Sequence, residues 1–304
     1  MVDILMATYN GGRYLAQQLD SILAQSFPDW NLLIRDDGST DGTLRLCGSY
    51  AAKNPSRIRV LTDNLGRLGP RGNFSELLSQ SRGEHAMFCD QDDVWLPHKV
   101  EISLAAMQDI ESKHGEISPA LVHTDSRVVN EDLQLISPSL LKYLHRKPSA
   151  SLNRLCMELP VYGHSVMINA ALRELGWPIP EGFVSWDWWY PLVATAFGRV
   201  RFVDEATVLF RRHQRTSSTT RKHGLSAFLS NSFSDYRRKV HISLRQGEIF
   251  FDRFSLRLNA DQRRFFTAVC EIRHAHWVRR RYLILRHRLF KTGLLKTLGV
   301  LIAV

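Results

Sequence analysis

Four consecutive residues, Asp90-Gln91-Asp92-Asp93, place three carboxylates in one short stretch. Like charges this close are unfavourable unless a cation neutralises them. Magnesium and manganese prefer hard oxygen ligands and commonly bind one or two carboxylates together with substrate phosphates. The chemistry on offer is a metal bridging Asp92, with Asp90 or Asp93, to a diphosphate. A solvated turn in which an Asp caps the next helix accounts for the same residues. A second acidic segment, DDGSTDG at 36–42, could accept hydrogen bonds from a nucleobase or from ribose hydroxyls. Asp, Gly and Ser also gather in turns for purely local reasons. Asp187 stands between tryptophans in SWDWW, where apolar surroundings would raise its pKa and suit it to take a proton near neutrality. An Asp at a helix N-terminus is also favoured by the macrodipole. His213 follows Arg211 and Arg212 in RRHQR, as a metal ligand or phosphate contact or as part of an exposed basic strand end. Arg67 and Arg71, in the Gly-rich segment 64–72, carry the same ambiguity.

These residues need elements to hold them. The run 2–8 reads as a buried strand stopping at YNGG, and 13–25 as an amphipathic helix with Leu15, Leu19 and Ile22 on one face. Strands follow at 30–35, 57–62 and 85–89, with helices from about Thr43, over 73–81 and over 99–114. Ser39, Thr40 or Asp41 can cap the helix at Thr43. Four strands alternating with helices predict a parallel, doubly wound sheet, and ligands of such sheets bind beyond the carboxyl ends of the strands. YNGG, DDGSTDG and DQDD all fall at such ends. Further strands are expected at 119–130 and 199–210, with a polar loop ahead of an apolar helix in 181–198.

The bulk numbers bound the rest. A chain of 304 residues with 44% hydrophobic and 23% charged residues is in the ordinary globular range. The net charge of +10 divides unevenly: residues 1–210 carry 19 Lys/Arg against 25 Asp/Glu, and 211–304 carry 21 against 5. A slightly acidic body therefore precedes a strongly basic tail. Cys47, Cys89, Cys156 and Cys270 are scattered and read as buried thiols in a reducing compartment. The start, MVDILMATYN, has neither a basic n-region nor a long apolar h-region, which points to the cytoplasm. P-loop, α/β-hydrolase and zincin motifs are missing, and the twelve histidines form no tight cluster in sequence.

Taken in order, ATYNGG (7–12), DDGSTDGT (36–43), FCDQDDVWLP (88–97), WDWW (186–189) and RRHQRTSS (211–218) resemble the family-two glycosyltransferases, most closely bacterial rhamnosyltransferase-type members. The resemblance covers about residues 2–218. It implies a GT-A fold, Rossmann-like with a mostly parallel central sheet flanked by helices. A catalytic domain is expected over 1–220, with a nucleotide-sugar half at about 1–115 and an acceptor half at about 116–220. A basic, mainly helical region follows over 221–304.

By the same resemblance Thr8, Tyr9 and Asn10 lie against the nucleotide, Asp37 and less directly Asp36 contact base or ribose, and Arg71 serves the donor. Asp90 and Asp92 match a DxD motif, with Asp92 the first metal ligand, Asp90 and His213 joining it, and Asp93 touching the donor. Asp187 matches the general base. Gly163 falls at a step lining the acceptor, and His164 after it departs from the pattern. SWDWW also lacks the acidic residue that precedes this Asp in many relatives, so Asp187 serves alone. The implied reaction is an inverting transfer from a nucleoside-diphosphate sugar, with Mn or Mg, to a hydroxyl of a glycan or lipid-linked glycan in bacterial surface polysaccharide (O-antigen-like) synthesis. A deoxythymidine-diphosphate rhamnose donor is favoured over a uridine-linked hexose. A catalytically inactive nucleotide-sugar-binding scaffold and a nucleic-acid binder acting through the tail are the alternatives; no nucleic acid is expected. The tail 225–304 combines Arg279–Arg281, Arg286 and Arg288 with Tyr282, Leu283, Leu285 and Leu289. That mixture suits an interfacial helix on anionic lipid at the inner face of the cytoplasmic membrane, and LGVLIAV at the end is too short for a span of about 20 residues. A basic hairpin packed on the catalytic domain or on a second subunit of a homodimer is the other reading.

Overall fold

The computed structural model describes residues 1–148, 151–159, 161–213 and 233–304. The end of RRHQRTSS (214–218) and the start of the basic tail (225–232) lie outside the described residues. The first half alternates as expected: β1 (Val2–Thr8), α1 (Leu15–Leu23), β2 (Trp30–Asp36), α2 (Thr43–Lys53), β3 (Ile58–Val60), α3 (Gly69–Gln80) and β4 (His85–Cys89). Next come β5 (Val94–Trp95), α4 (Lys99–His114), β6 (Ala120–Val129), β7 (Leu135–Ser137), α5 (Leu140–Tyr143) and α6 (Leu152–Leu155). A 3-10 turn over Gly163–Ser165 leads into β8 (Val166–Asn169), α7 (Ala170–Gly176), α8 (Trp186–Phe197) and β9 (Arg199–Arg211). The helices α9 (Phe233–Phe254), α10 (Ala260–His274), α11 (Trp277–Arg286) and α12 (Leu294–Ala303) complete the chain.

The nine strands form one sheet in the order β3-β2-β1-β4-β8-β6-β9-β5, with β7 on β6. The strands β3, β2, β1 and β4 are parallel. Both faces of β1 are covered, so VDILMAT is apolar almost throughout rather than alternating. Leu15, Leu19 and Ile22 of α1 and Val100 and Met107 of α4 pack on one face of the sheet, in a core with Ile4, Leu32, Met87 and Val122. The Gly-rich segment expected to be all loop gives way to α3 at Gly69, because Pro70 in the first helical turn gives up an N–H that has no partner there anyway.

Beyond β4 the sheet is mixed, and this part positions the site. β8 runs antiparallel to β4 with Met87 opposite Met167 and His85 opposite Asn169. The residues just before β8 therefore lie beside those just after β4. β6 pairs with β8 antiparallel and with β9 in parallel, through register shifts at Thr124/Asp125 and Asp125/Ser126. The two-residue β5 pairs antiparallel with β9, Val94 opposite Leu209.

The chain divides into two compact units. One holds Met1–Tyr143, Val161–Ile179 and Ser185–Thr216; the other holds Leu144–Pro160, Pro180–Val184 and Ser217–Val304, and so draws on segments on both sides of residue 220. In the second unit, α9 and α10 meet through Phe250, which stacks on Phe266 at 4.7 Å. Asn259 and Gln262 form a reciprocal capping box at the start of α10. Buried Glu158 accepts from Arg146 (2.9 Å) and from the Thr292 backbone (3.1 Å). All four cysteines are free thiols, and three of them are buried.

Candidate active site

Three strand ends meet at the carboxyl edge of the parallel half. After β1, Thr8 is buried and its hydroxyl donates to Asp36 (2.9 Å). Tyr9 is 36% exposed, and the Arg67 guanidinium lies 4.0 Å above its ring. Asn10 sits at φ 47°, a left-handed conformation that Asn tolerates. Its side-chain oxygen accepts from the Thr40 N–H, which ties this turn to the one after β2. Gln91 clips the same turn to β4 by accepting from the Tyr9 N–H (2.8 Å) and donating to the Tyr9 carbonyl (3.0 Å). Glycine at 11 leaves room for this clip, since a Cβ there would come within 2.2 Å of the Gln91 amide and push it off the Tyr9 backbone.

After β2, Asp36 accepts from Ser39 N (2.8 Å) and Ser39 Oγ (2.6 Å) as well as from Thr8. Asp37 is 3% exposed and accepts from Arg35 (3.2 Å) and from the backbones of Leu68 (2.7 Å) and Gly69 (2.9 Å). Each of these carboxylates thus carries three protein donors, against about four lone-pair directions. Their visible work is to shape the rim; Asp41 does the same at α2 by accepting from Thr43 N. Arg71 is half-buried in the first turn of α3 and has no acidic partner among the described residues.

The end of β4 carries the acidic cluster. The Asp92 carboxylate meets His213 Nε2 at 2.8 Å. The β5–β9 pairing brings Arg211 in with it: its backbone N–H donates to Asp93 (3.0 Å), its Nε to the Asp92 carbonyl (2.8 Å) and its Nη2 to Gln17 (2.6 Å). The Arg211 guanidinium lies 4.6 Å over the Tyr14 ring, and the same ring stands 5.2 Å from His213. On the other side the β4–β8 register delivers His164. Its Nδ1 is 3.7 Å from Asp93 and 3.8 Å from Asp90, and its Nε2 is 2.8 Å from Ser126 Oγ.

Asp187 occupies the first turn of α8, behind Gly163. A Cβ on Gly163 would lie 2.3 Å from the Trp186 ring and 3.3 Å from Asp187 Cβ. Trp186 in turn stacks on Phe88 at 3.9 Å. Glycine at 163 therefore lets α8 bring Asp187 against the end of β4.

Charges in this region are strained. Burial first, then Asp92 and Asp187, push the Asp90 carboxyl up to about 7. Burial also holds Asp93 well above the usual carboxylate range, with Asp92 and Asp90 adding to it. Asp187 is pushed up to about 7 by burial, against the pull of backbone N–H groups. Burial lowers His164 to about 3, helped by Lys99. Lys99 is fully buried without a hydrogen-bond partner for its ammonium and falls to about 7.

The structure thus gathers Asp90, Asp92, Asp93, His213 and Asp187 at one edge, and Thr8, Tyr9, Asn10, Asp36 and Asp37 along its rim. Asp92 and His213 stand 2.8 Å apart, a carboxylate and an imidazole of the kind a divalent ion such as Mn takes, but Asp90 does not group with them as expected: among the described residues the ligand atoms that all lie within 4.8 Å of one another are those of Asp90, Asp93 and His164. Sequence reasoning missed three parts. In sequence Gln91 reads as the spacer inside DQDD, although its amide can reach backbone at a strand end. The anchoring role of Arg211 and the proximity of His164 depend on strand pairing, which no local sequence signal reveals.

Comparison with known proteins agrees with this architecture. Residues 3–119 match the family described as glycosyl transferase family 2. The putative glycosyltransferase EpsE of Bacillus subtilis is 36% identical over 108 residues, 35% of this chain and 38% of that protein. The dTDP-rhamnosyl transferase RfbG of Shigella flexneri is 37% identical over 100 residues, 32% of this chain and 34% of that protein. The matched stretch is thus little more than a third of either relative. The crystal structure of S. aureus TarS 1–349 in complex with UDP-GlcNAc superimposes with a TM-score of 0.56 at 19% identity, covering 93% of this chain and 83% of that one. The likeness to TarS is one of fold, and the GT-A architecture expected from the motifs is the one observed.

Proposed function

We propose that this chain, whose residues 3–119 belong to glycosyl transferase family 2, moves a hexose from a nucleoside-diphosphate donor to a hydroxyl of a glycan or lipid-linked glycan, with inversion. The observation that carries the reading is the convergence of Asp187 with the acidic cluster. Asp187 comes from the first turn of α8, and the stack of Trp186 on Phe88 at 3.9 Å, with Gly163 packed against Asp187, sets it beside the end of β4. Donor-side acids and a candidate base thereby flank one space at the carboxyl edge of the sheet, where α/β folds bind their ligands.

Placement supports the following division of roles. Asp187, raised to about 7, takes the proton from the attacking acceptor hydroxyl close to neutral pH. Asp92 and His213, with Asp90, would hold the divalent ion, Mn or Mg; Asp93, 1% exposed and turned toward Arg211 and His164, is closed off from the donor it was expected to touch. When bound there, the ion would offset charge growing on the departing nucleoside diphosphate. Tyr9, with Arg67 above its ring, and the Thr8–Asp36–Ser39 network form the nucleotide rim. Arg71 faces the donor without a competing carboxylate among the described residues. The likeness to RfbG favours a rhamnose donor, and a role in surface polysaccharide synthesis goes with it.

We place the enzyme at the cytoplasmic face of the membrane, bound peripherally. No helix among the described residues is long and apolar enough to cross a membrane. On α11, Trp277 (60% exposed), Val278, Tyr282 and Leu285 stand in solvent beside Arg279 and Arg286, the composition of an interfacial helix. Replacing Trp277 and Leu285 together by Glu should release the protein from anionic vesicles in a sedimentation assay.

The reading is tested by a donor panel. Nucleoside-diphosphate release is measured with Mn or Mg, with and without a lipid-linked glycan acceptor. One donor should give acceptor-dependent release that chelator abolishes and Asp92→Asn cuts by at least tenfold. Nucleotide binding with no transfer across the panel would leave a binding scaffold instead.

A further inference from the structure

A second group of potential ligands lies behind the donor-side acids. Ligand atoms of Asp90, Asp93 and His164 all fall within 4.8 Å of one another. His164 is 3% and Asp93 1% exposed, and the Asp93 Oδ2 that faces His164 has no hydrogen-bond partner. At 3.7 and 3.8 Å, His164 Nδ1 is too far from either carboxylate for a hydrogen bond. It is, however, close to the spacing between neighbouring ligands around a tetrahedral ion, about 3.4 Å for metal–ligand bonds of about 2.1 Å. The ring is held in place: Nε2 meets Ser126 Oγ at 2.8 Å, and Phe210 stacks on one face at 5.0 Å. With the Nε2 proton donated to Ser126, the Nδ1 lone pair points at two carboxylate oxygens. A divalent ion would displace whatever protons the two buried carboxyls hold, and a metal-bound His is commonly fixed in this way by a hydrogen bond from its other nitrogen.

We propose that Asp90, Asp93 and His164 form a second cation site, distinct from the one at Asp92 and His213, that takes a divalent transition metal such as Zn or Mn. The imidazole and the small, mostly buried cage favour a transition metal over magnesium, which demands octahedral oxygen ligation and keeps its waters. Asp90, with a side chain 43% exposed, is the way in and the group shared with the outer site. The site needs no nucleotide, so its ion binds to the free protein. The proposal rests on the geometry of these three residues and stands whichever sugar is transferred, or if none is.

The experiment titrates the full-length protein, without nucleotide, with cobalt(II), followed by calorimetry and by visible absorption. The wild type should bind one cobalt(II) with the d–d spectrum of low-coordinate ligation that includes nitrogen. His164→Gln and Asp93→Asn should each weaken that binding by at least tenfold and bleach the spectrum, while Asp92→Asn, which removes a neighbouring charge but no ligand of this site, leaves the spectrum and the stoichiometry unchanged. Asp90→Asn, at a partly exposed side chain, should also weaken binding and provides a variant that keeps the core intact. Cobalt binding by His164→Gln and Asp90→Asn equal to the wild type would overturn the proposal, as would binding lost only in Asp92→Asn. Failure of the donor panel with an intact cobalt result would overturn the transferase reading alone.

Discussion

Asp187→Asn separates the cost of the candidate base from its use. In the folded chain the Asp187 carboxyl lies at about 7 against an ordinary 3.8, and the leading cause is burial. A raised acid costs the fold nothing below pH 3.8, where both states are protonated. The cost grows as the unfolded chain ionises first and levels off above pH 7. Between pH 5 and 8 the added penalty has a ceiling of about 2.6 kcal/mol, at 1.36 kcal/mol per pH unit. Asp187 is only partly shielded, so about half, roughly 1 to 1.5 kcal/mol, should survive solvent screening. Asn carries no such charge. In urea unfolding of the free protein, the variant should therefore gain that much on wild type between pH 5 and pH 8. Over the same change, kcat/KM should fall by about 10²–10⁴-fold, the usual worth of a positioned base, with nucleoside-diphosphate affinity within twofold of wild type. A stability difference that does not change with pH would refute the shielding argument, and preserved turnover would remove Asp187 as the base.

Three other substitutions probe the frame around it. Gly163→Ala should destabilise the protein by about 1–3 kcal/mol in denaturant titrations, because the new methyl must displace the Trp186 ring from Phe88; an unchanged midpoint would show that α8 gives way freely. Gln91→Ala removes both bonds to the Tyr9 backbone, each worth about 1 kcal/mol, so donor KM should rise several-fold with kcat nearly constant. Equal changes in both parameters would place Gln91 nearer the reaction than the rim. Lys99→Met should stabilise by about 2 kcal/mol at pH 7, since a buried ammonium with no hydrogen-bond partner, set 4.7 Å over the Trp95 ring, is replaced by an apolar chain of similar length. The folded pKa is depressed from 10.5 to about 7, so the wild type recovers this deficit as pH rises toward 10.5 and the gain should shrink with it. Thermal unfolding at pH 7 and 9.5 reads that trend.

How much of this was legible depended on how local the cause was. Strand ends at Thr8, Asp36 and Cys89 could be read because each apolar run stops at a turn written in Gly, Asn and Asp, and both signals lie within a few residues. The parallel half followed from alternation alone. The back wall of the site did not. His164 reaches Asp90 and Asp93 only because β8 inserts antiparallel between β4 and β6, and a four-residue VMIN run reads the same in either direction. Arg211 reaches Asp92 and Asp93 only through a two-residue strand and a register shift in β6–β9, features set by packing and not by propensity. Such long-range pairings place an unassigned histidine and a structural arginine on either side of the acidic motif. The motif itself was visible in sequence, but its surroundings decide which of its carboxylates can share a cation. Asp92 opens toward His213 and solvent, whereas Asp93 is sealed against His164. A sequence pattern that treats the two as neighbours in one turn merges two chemical environments that the sheet keeps apart.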